Sequence, residues 1–242
     1  MSIQSSEEKK HHDKIYDLSC GYCWANVTPA GQIRQDRRAG LARECIKISK
    51  GIKILEIGCG NGEFSRRFLN NGADMHCVDI SPKLIKALKE KYAGTNLRFE
   101  IADIENLSYP DEYFDAIIGN GVLHHLDLEI CLKEIRRVLK KNGKIFFCEP
   151  NMLNPEVFLE TNIRWIGKKA QKTDNETAFV RWSLTKKLRD NNFKNIVVVP
   201  FDFLQPLTPN SLIKIVSKIG AALEKTPLMR EIAGSLKIFA EK

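Results

Sequence analysis

Ile52-Lys53-Ile54-Leu55-Glu56-Ile57-Gly58-Cys59-Gly60-Asn61-Gly62 is the stretch on which the fold turns. Its first half is a short run of β-branched and aliphatic residues, the pattern of a parallel strand buried on both faces. Three glycines at alternate positions follow, and Glu63-Phe64-Ser65-Arg66-Arg67-Phe68-Leu69 resumes with helical spacing. Strand, glycine-rich turn and helix predict the first half of a βαβ nucleotide site. The glycines let the chain turn tightly and approach a ligand where a Cβ would clash.

The details narrow the ligand. The spacing is G-x-G-x-G, not the G-x-G-x-x-G of a dinucleotide site, and no Lys-Ser or Lys-Thr follows to make a P-loop. Glu56, two residues before the first glycine, would repel a pyrophosphate and favour a cation. A second apolar strand, His76-Cys77-Val78, ends in Asp79, about 20 residues past the glycines, where a carboxylate grips the ribose of an adenosine. Together these favour an adenosine that carries positive charge and no phosphate, and S-adenosylmethionine meets both conditions.

At this point a family resemblance is plain. Glu56-Ile-Gly-Cys-Gly-Asn-Gly-Glu-Phe64, the acid in Val78-Asp-Ile-Ser81 and Ala102-Asp-Ile-Glu-Asn-Leu107 resemble the class I S-adenosylmethionine-dependent methyltransferases. Phe114-Asp-Ala-Ile-Ile-Gly-Asn-Gly-Val-Leu-His-His-Leu126 and Leu139-Lys-Lys-Asn-Gly-Lys-Ile-Phe-Phe-Cys-Glu-Pro-Asn151 continue the series in order. The pattern is most similar to the small-molecule branch that includes ubiquinone and menaquinone biosynthesis methyltransferases, and it fades outside Gly51 to Asn151.

The resemblance implies an α/β, Rossmann-like, doubly wound, mostly parallel seven-stranded sheet with an antiparallel last strand. It implies a methyltransferase domain over residues 51–242, with residues 1–50 as an N-terminal lid and helix and a substrate-side elaboration at about residues 151–190. It also implies cofactor contacts by Glu56, Gly58, Cys59, Gly60, Asp79, Ile80, Asp103, Ile104 and Asn120, with S-adenosylmethionine as the cofactor. Asp103 would accept from the adenine amino group, and Ile104 would offer a backbone donor and an apolar edge. A cap or turn is the alternative for both Asp79 and Asp103, since aspartate often occupies such positions. Tyr16, in His12-Asp-Lys-Ile-Tyr-Asp17, would close over the site from the lid.

Composition sets the outer bounds. At 242 residues, with 43% hydrophobic and 28% charged residues, the chain is long enough for one well-buried soluble domain. No apolar run reaches transmembrane length, and the polar N-terminus carries no signal-peptide pattern. Seven scattered cysteines fit a reducing, cytoplasmic setting. The net charge of +8 is dispersed and comes with no aromatic-rich RNA-binding signature, so a small-molecule acceptor is expected and no specific nucleic-acid partner. Cys20-Gly-Tyr-Cys23 near His11 and His12 suggests zinc, but no second pair completes a closed site, and no metal is expected.

Along the chain, helices are expected over residues 34–49, after the glycine loop, from Ser81-Pro82, and from Asp127 to Asn142-Gly143. Strands are expected at Ala73–Val78, Leu97–Ile101, Tyr113–Ile118, Lys144–Cys148, Asn195–Phe201 and Gly234–Ala240. His124 and His125 fall where strand four opens into the crevice; His124 is the candidate general base, with packing in the turn as the alternative. Residues 151–188, with Arg164, Trp165, Arg181 and Trp182, are expected either to wall off the acceptor or to pack tryptophans under a loop. A helix from Thr208-Pro209 carries Leu212, Ile215, Val216, Ile219 and Leu223 flanked by Lys214, Lys218 and Lys225. That stripe reads as core packing, with peripheral membrane contact as its alternative.

The expected reaction is methylation of an oxygen, nitrogen or carbon of a metabolite, quinone, sugar or lipid-like intermediate. An RNA or tRNA methyltransferase and a non-catalytic interaction protein of the same fold are the rivals. A dehydrogenase is disfavoured by Glu56 and the glycine spacing.

Overall fold

The computed structural model describes residues 27–163 and 177–242. Tyr16, Cys20, Cys23 and the proposed lid segment lie outside the described residues, as do Arg164 and Trp165. The elements run α1 (Pro29–Ile46), β1 (Lys53–Ile57), β2 (Asp74–Asp79), α2 (Pro82–Lys91), β3 (Leu97–Ile101), β4 (Phe114–Asn120) and α3 (Leu128–Val138). They continue with β5 (Leu139–Pro150), α4 (Pro155–Asn162), α5 (Arg181–Asp190), β6 (Lys194–Phe201), α6 (Ile213–Leu223), α7 (Pro227–Arg230) and β7 (Ser235–Glu241).

The seven strands form one sheet in the order β3-β2-β1-β4-β5-β7-β6. All pairings are parallel except those of β7, which runs antiparallel between β5 and β6. The order reverses between β1 and β4, the switch point at which open α/β sheets bind ligands beyond their carboxyl ends. Both faces are covered, which is why the strands read as unbroken apolar runs rather than alternating ones. On one face Leu55, Ile57, Ile117, Ile145 and Phe147 pack with α3 and α5; on the other Ile54, Ile118 and Phe146 pack with α1 and α2. Among the described residues no helix is long and apolar enough to cross a membrane.

Four local expectations are corrected. The helix expected after the glycine loop is a single 3-10 turn, Ser65–Phe68. The Arg67 guanidinium donates to the Glu63 carbonyl, the oxygen that a helical Arg67 N–H would use, while Arg67 N goes to Phe64 O at 3.1 Å. The helix expected over residues 34–49 instead spans Pro29–Ile46, because Thr28 caps it through Gly31 N (3.0 Å) and Pro29 opens it. Strand five begins at Leu139, not Lys144: the chain pairs with Phe114 at once and absorbs Asn142, at φ +60°, in a register shift. Finally, the stripe of α6 is not core: Leu212, Ile215 and Ile219 are exposed, and the buried residues are Ile213 and Gly220.

Candidate active site

The glycine loop leaves β1 in backbone that only glycine adopts cheaply. Gly58 has φ +66°, and a Cβ there would lie 2.4 Å from Val122 Cγ2. Gly60 has φ +52°, and a Cβ there would meet nothing within 4 Å, so its face is open. Gly60 N donates to Asp79 Oδ2 at 2.9 Å, and Ser81 N donates to Asp79 Oδ1 at 3.0 Å. Asp79 thus ties the loop from the end of β2. The cap of α2 is Ser81, whose Oγ accepts from Leu84 N, and not Asp79.

Glu56 sits behind this loop with 1% of its surface exposed, and its Oε2 has no hydrogen-bond partner. Burial pushes its carboxyl up to about 7 against hydrogen bonds from Ser65 and Cys77 that hold it down, and the nearby charge of Asp79 adds to the rise. Burial likewise pushes the Cys59 thiol up, so it stays a neutral lining group. A buried acid behind a loop whose Cys59, Gly60 and Gly62 N–H groups are already bonded within the protein suits a cationic, phosphate-free nucleoside better than a pyrophosphate. On the next strand, Ala102 N donates to Asp79 O at 3.1 Å, which sets Asp103 beside Asp79 along the rim. Asp103 Oδ1 accepts from Glu105 N at 3.0 Å, so it also closes a turn. Ile104 is buried and Ile80 half-buried.

Across the switch point the groups change. Asn120, at the end of β4, donates through Nδ2 to Gln35 Oε1 (3.0 Å) and accepts through Oδ1 from Arg38 Nη1 (2.8 Å). Arg38 Nη2 reaches Ser235 Oγ (2.7 Å) and Asp202 Oδ2 (3.1 Å), which also accepts from Arg34 Nε (2.9 Å). Burial would raise Asp202, but Arg34 and Arg38 outweigh it and hold its carboxyl below the usual range. Burial and the charge of Arg38 lower Arg34 in turn. Sequence reasoning missed this pair. The available signal was two arginines four apart on the polar side of α1, which reach the ends of β4, β6 and β7.

His124 and Glu149 form a second buried pair that lies beyond any local pattern. His124 Nδ1 is 2.7 Å from Glu149 Oε2, with 4% and 1% of the two residues exposed. Glu149 Oε1 accepts from Val122 N (3.0 Å) and Leu123 N (2.9 Å), which fixes the carboxylate from its other side. Paired with an ionised Glu149, which can only accept, a neutral His124 would hold its proton on Nδ1 and its lone pair on Nε2. The His125 ring lies 4.0 Å from that of His124. The site therefore holds the parts of an oriented base.

Trp182 does not pack under a loop: it is 56% exposed, with the Arg181 guanidinium over its ring at 4.8 Å. A polar depression of about 790 Å³, lined among others by Asp111, Arg137, Asn192 and Lys242, lies at the opposite end of the sheet and takes no part in the site. Among the described residues no group of three or more His, Cys, Asp or Glu could hold a metal ion.

Comparison with known proteins agrees with this geometry. The family model described as a methyltransferase domain matches residues 55–147, from β1 to β5. An uncharacterized protein of Methanocaldococcus jannaschii is 31% identical over 209 residues, 82% of this chain and 77% of that one. A demethylmenaquinone methyltransferase of Streptomyces griseus is 31% identical over 60% of this chain, and the match spans 64% of that protein. Among solved structures, a SAM dependent methyltransferase from Archaeoglobus fulgidus superposes with a TM-score of 0.63 at 21% identity, covering 87% of this chain and 94% of that one.

Proposed function

We propose that this chain, which carries a methyltransferase domain over residues 55–147 and is similar to S-adenosylmethionine-dependent methyltransferases, transfers a methyl group from S-adenosylmethionine to a small-molecule acceptor. The observation that carries the reading is the buried, under-bonded Glu56 behind a glycine loop tied to Asp79. In this reading Glu56, Gly58, Cys59 and Gly60 receive the methionine end, and Asp79 and Ile80 the ribose. Asp103 and Ile104 receive the adenine, and Asn120 marks the boundary with the acceptor.

When bound, S-adenosylmethionine supplies a methyl group already activated by a neutral thioether leaving group. The residues of the chain then have to align and desolvate the reactants rather than create a reactive group. His124 Nε2 accepts the proton of an acceptor hydroxyl while Glu149 holds the imidazole by its Nδ1–H and stabilises the imidazolium that results. The Arg38–Asn120 bond fixes the floor between the two halves. A small acceptor is supported by relatives named for demethylmenaquinone and for ubiquinone biosynthesis O-methylation.

The test is transfer of a labelled methyl group by the purified protein in metabolite and RNA fractions. Label in a low-mass product supports the reading. Label in RNA alone, or in neither fraction from folded, cofactor-binding protein, rejects it.

A further inference from the structure

The stripe on α6 carries information that methyl transfer does not use. Ile213 packs with Ala30 and Leu204, and a Cβ on Gly220 would lie 3.0 Å from Phe203 Cβ, so these two residues mark the face of α6 that meets the fold. The flank beside that face carries Leu212, Ile215 and Ile219, which are 46%, 58% and 56% exposed. At 3.6 residues per turn these three fall within an arc of about 60°. Lys214 and Lys218, both exposed, occupy the next arc, roughly 60–100° beyond Ile215, and the exposed Lys225 follows just past the end of the helix. Leu228, on α7 just after the helix, is 84% exposed.

The position of α6 is as informative as its composition. Glu224, the residue after the helix, accepts from Asp202 N at 2.9 Å, which anchors the helix at the carboxyl end of β6. The C-terminal end of α6 therefore sits on the side of the sheet at which the parallel strands end and the crevice opens. An exposed apolar stripe costs hydration free energy, and on a surface helix it marks a face that meets something.

We propose that α6 docks the protein onto an anionic lipid surface, with Leu212, Ile215 and Ile219 entering the acyl boundary and Lys214, Lys218 and Lys225 meeting the headgroups. A lipid surface offers both chemistries side by side. A second copy of the chain does not: α6 carries no acidic residue between Ile213 and Leu223, so a two-fold contact on the stripe brings two lysine arcs together. The docking is independent of the methyl-transfer reading, and its test needs no turnover.

The experiment is co-flotation of the full chain with vesicles of phosphatidylcholine alone and with phosphatidylglycerol added. The wild type is expected to float with the mixed vesicles, not with the neutral ones, and less at higher salt. Ile215→Glu with Ile219→Glu should weaken partition by about tenfold or more, since two half-exposed side chains no longer enter hydrocarbon. Replacing all three lysines by glutamine should weaken it by on the order of a hundredfold at low salt. Lys89→Gln with Lys91→Gln, on α2, removes charge elsewhere and should change partition little. The replaced side chains are exposed, and an unchanged melting temperature confirms that each variant is folded. Three results would overturn the proposal: no flotation of the wild type with anionic vesicles, equal flotation of the stripe variant, or a wild-type dimer that the stripe variant dissociates.

Discussion

Glu56→Gln should make the protein more stable at alkaline pH while removing its affinity for S-adenosylmethionine. In the folded chain the Glu56 carboxyl is raised from 4.5 to about 7 by burial. An acid raised on folding keeps its proton in the native state while the unfolded chain has already released it. Stability is therefore greatest below about 4.5, falls as pH rises toward 7, and stays low above that. At about 1.4 kcal/mol per tenfold, the full loss is about 3 kcal/mol. Glutamine has the same shape and does not ionise, so the variant should gain about 3 kcal/mol over wild type at pH 8 and less than about 1 kcal/mol at pH 5. For a chain of this size that corresponds to a rise in melting temperature on the order of 5–10 °C at pH 8. Scanning calorimetry of both proteins at the two pH values is the assay. A variant less stable than wild type at pH 8, or a gain that does not shrink at pH 5, would show that Glu56 is not a strained buried carboxylate. The argument for a cationic ligand would go with it.

Other outcomes follow from the same geometry. Gly58→Ala drives a Cβ to 2.4 Å from Val122 and should cost about 1–3 kcal/mol in chemical denaturation. Gly60→Ala, whose Cβ would meet only open space, should cost about 1 kcal/mol from its left-handed backbone yet still weaken cofactor binding in calorimetry. Asp202→Asn leaves Arg34 and Arg38 without their shared carboxylate and should cost about 3–5 kcal/mol near neutral pH. Because Asp202 is held below its usual 3.8, that stabilisation is complete above this value and is lost as pH falls through the lowered one. Acid titrations of wild type should show a loss there that the asparagine variant lacks. His124→Gln should lower turnover roughly a hundred- to ten-thousand-fold with cofactor affinity intact. Glu149→Gln should instead move the acidic limb of the pH–rate profile to lower pH, since it removes the negative charge that stabilises the imidazolium.

The readable parts of the fold were those written in consecutive residues. Ile52 to Gly62 is local chemistry: an apolar run, then backbone that needs glycine, then an acid on the next strand. The sheet and its antiparallel β7 came through resemblance, and the pairings of β7 with β5 and β6 agree with it. Where a distant group decided the outcome, the local pattern misled. The spacing of Glu63 to Leu69 is helical, yet Arg67 also reaches Gln32 O on α1, and the segment folds around that anchor. The α6 stripe has the period of a core helix, but periodicity finds an apolar face without saying what covers it. For the site, Glu149 was visible as a strand-end residue, whereas its bond to His124 spans 25 positions and two strands. Arg34 and Arg38 leave no mark in the apolar periodicity of α1, because their shared partner Asp202 lies more than 160 residues away in sequence.

The central claim is that the site built from Glu56, Gly60, Asp79 and Asp103 takes S-adenosylmethionine. Its most direct test is calorimetric titration of the full chain with S-adenosylmethionine, NAD and ATP at pH 6 and pH 8. The account predicts one-to-one binding of S-adenosylmethionine only, tighter at pH 8, because the cation prefers the ionised Glu56 and that acid titrates at about 7. Folded protein that takes NAD or ATP in preference, or binds S-adenosylmethionine more tightly at pH 6, would contradict it.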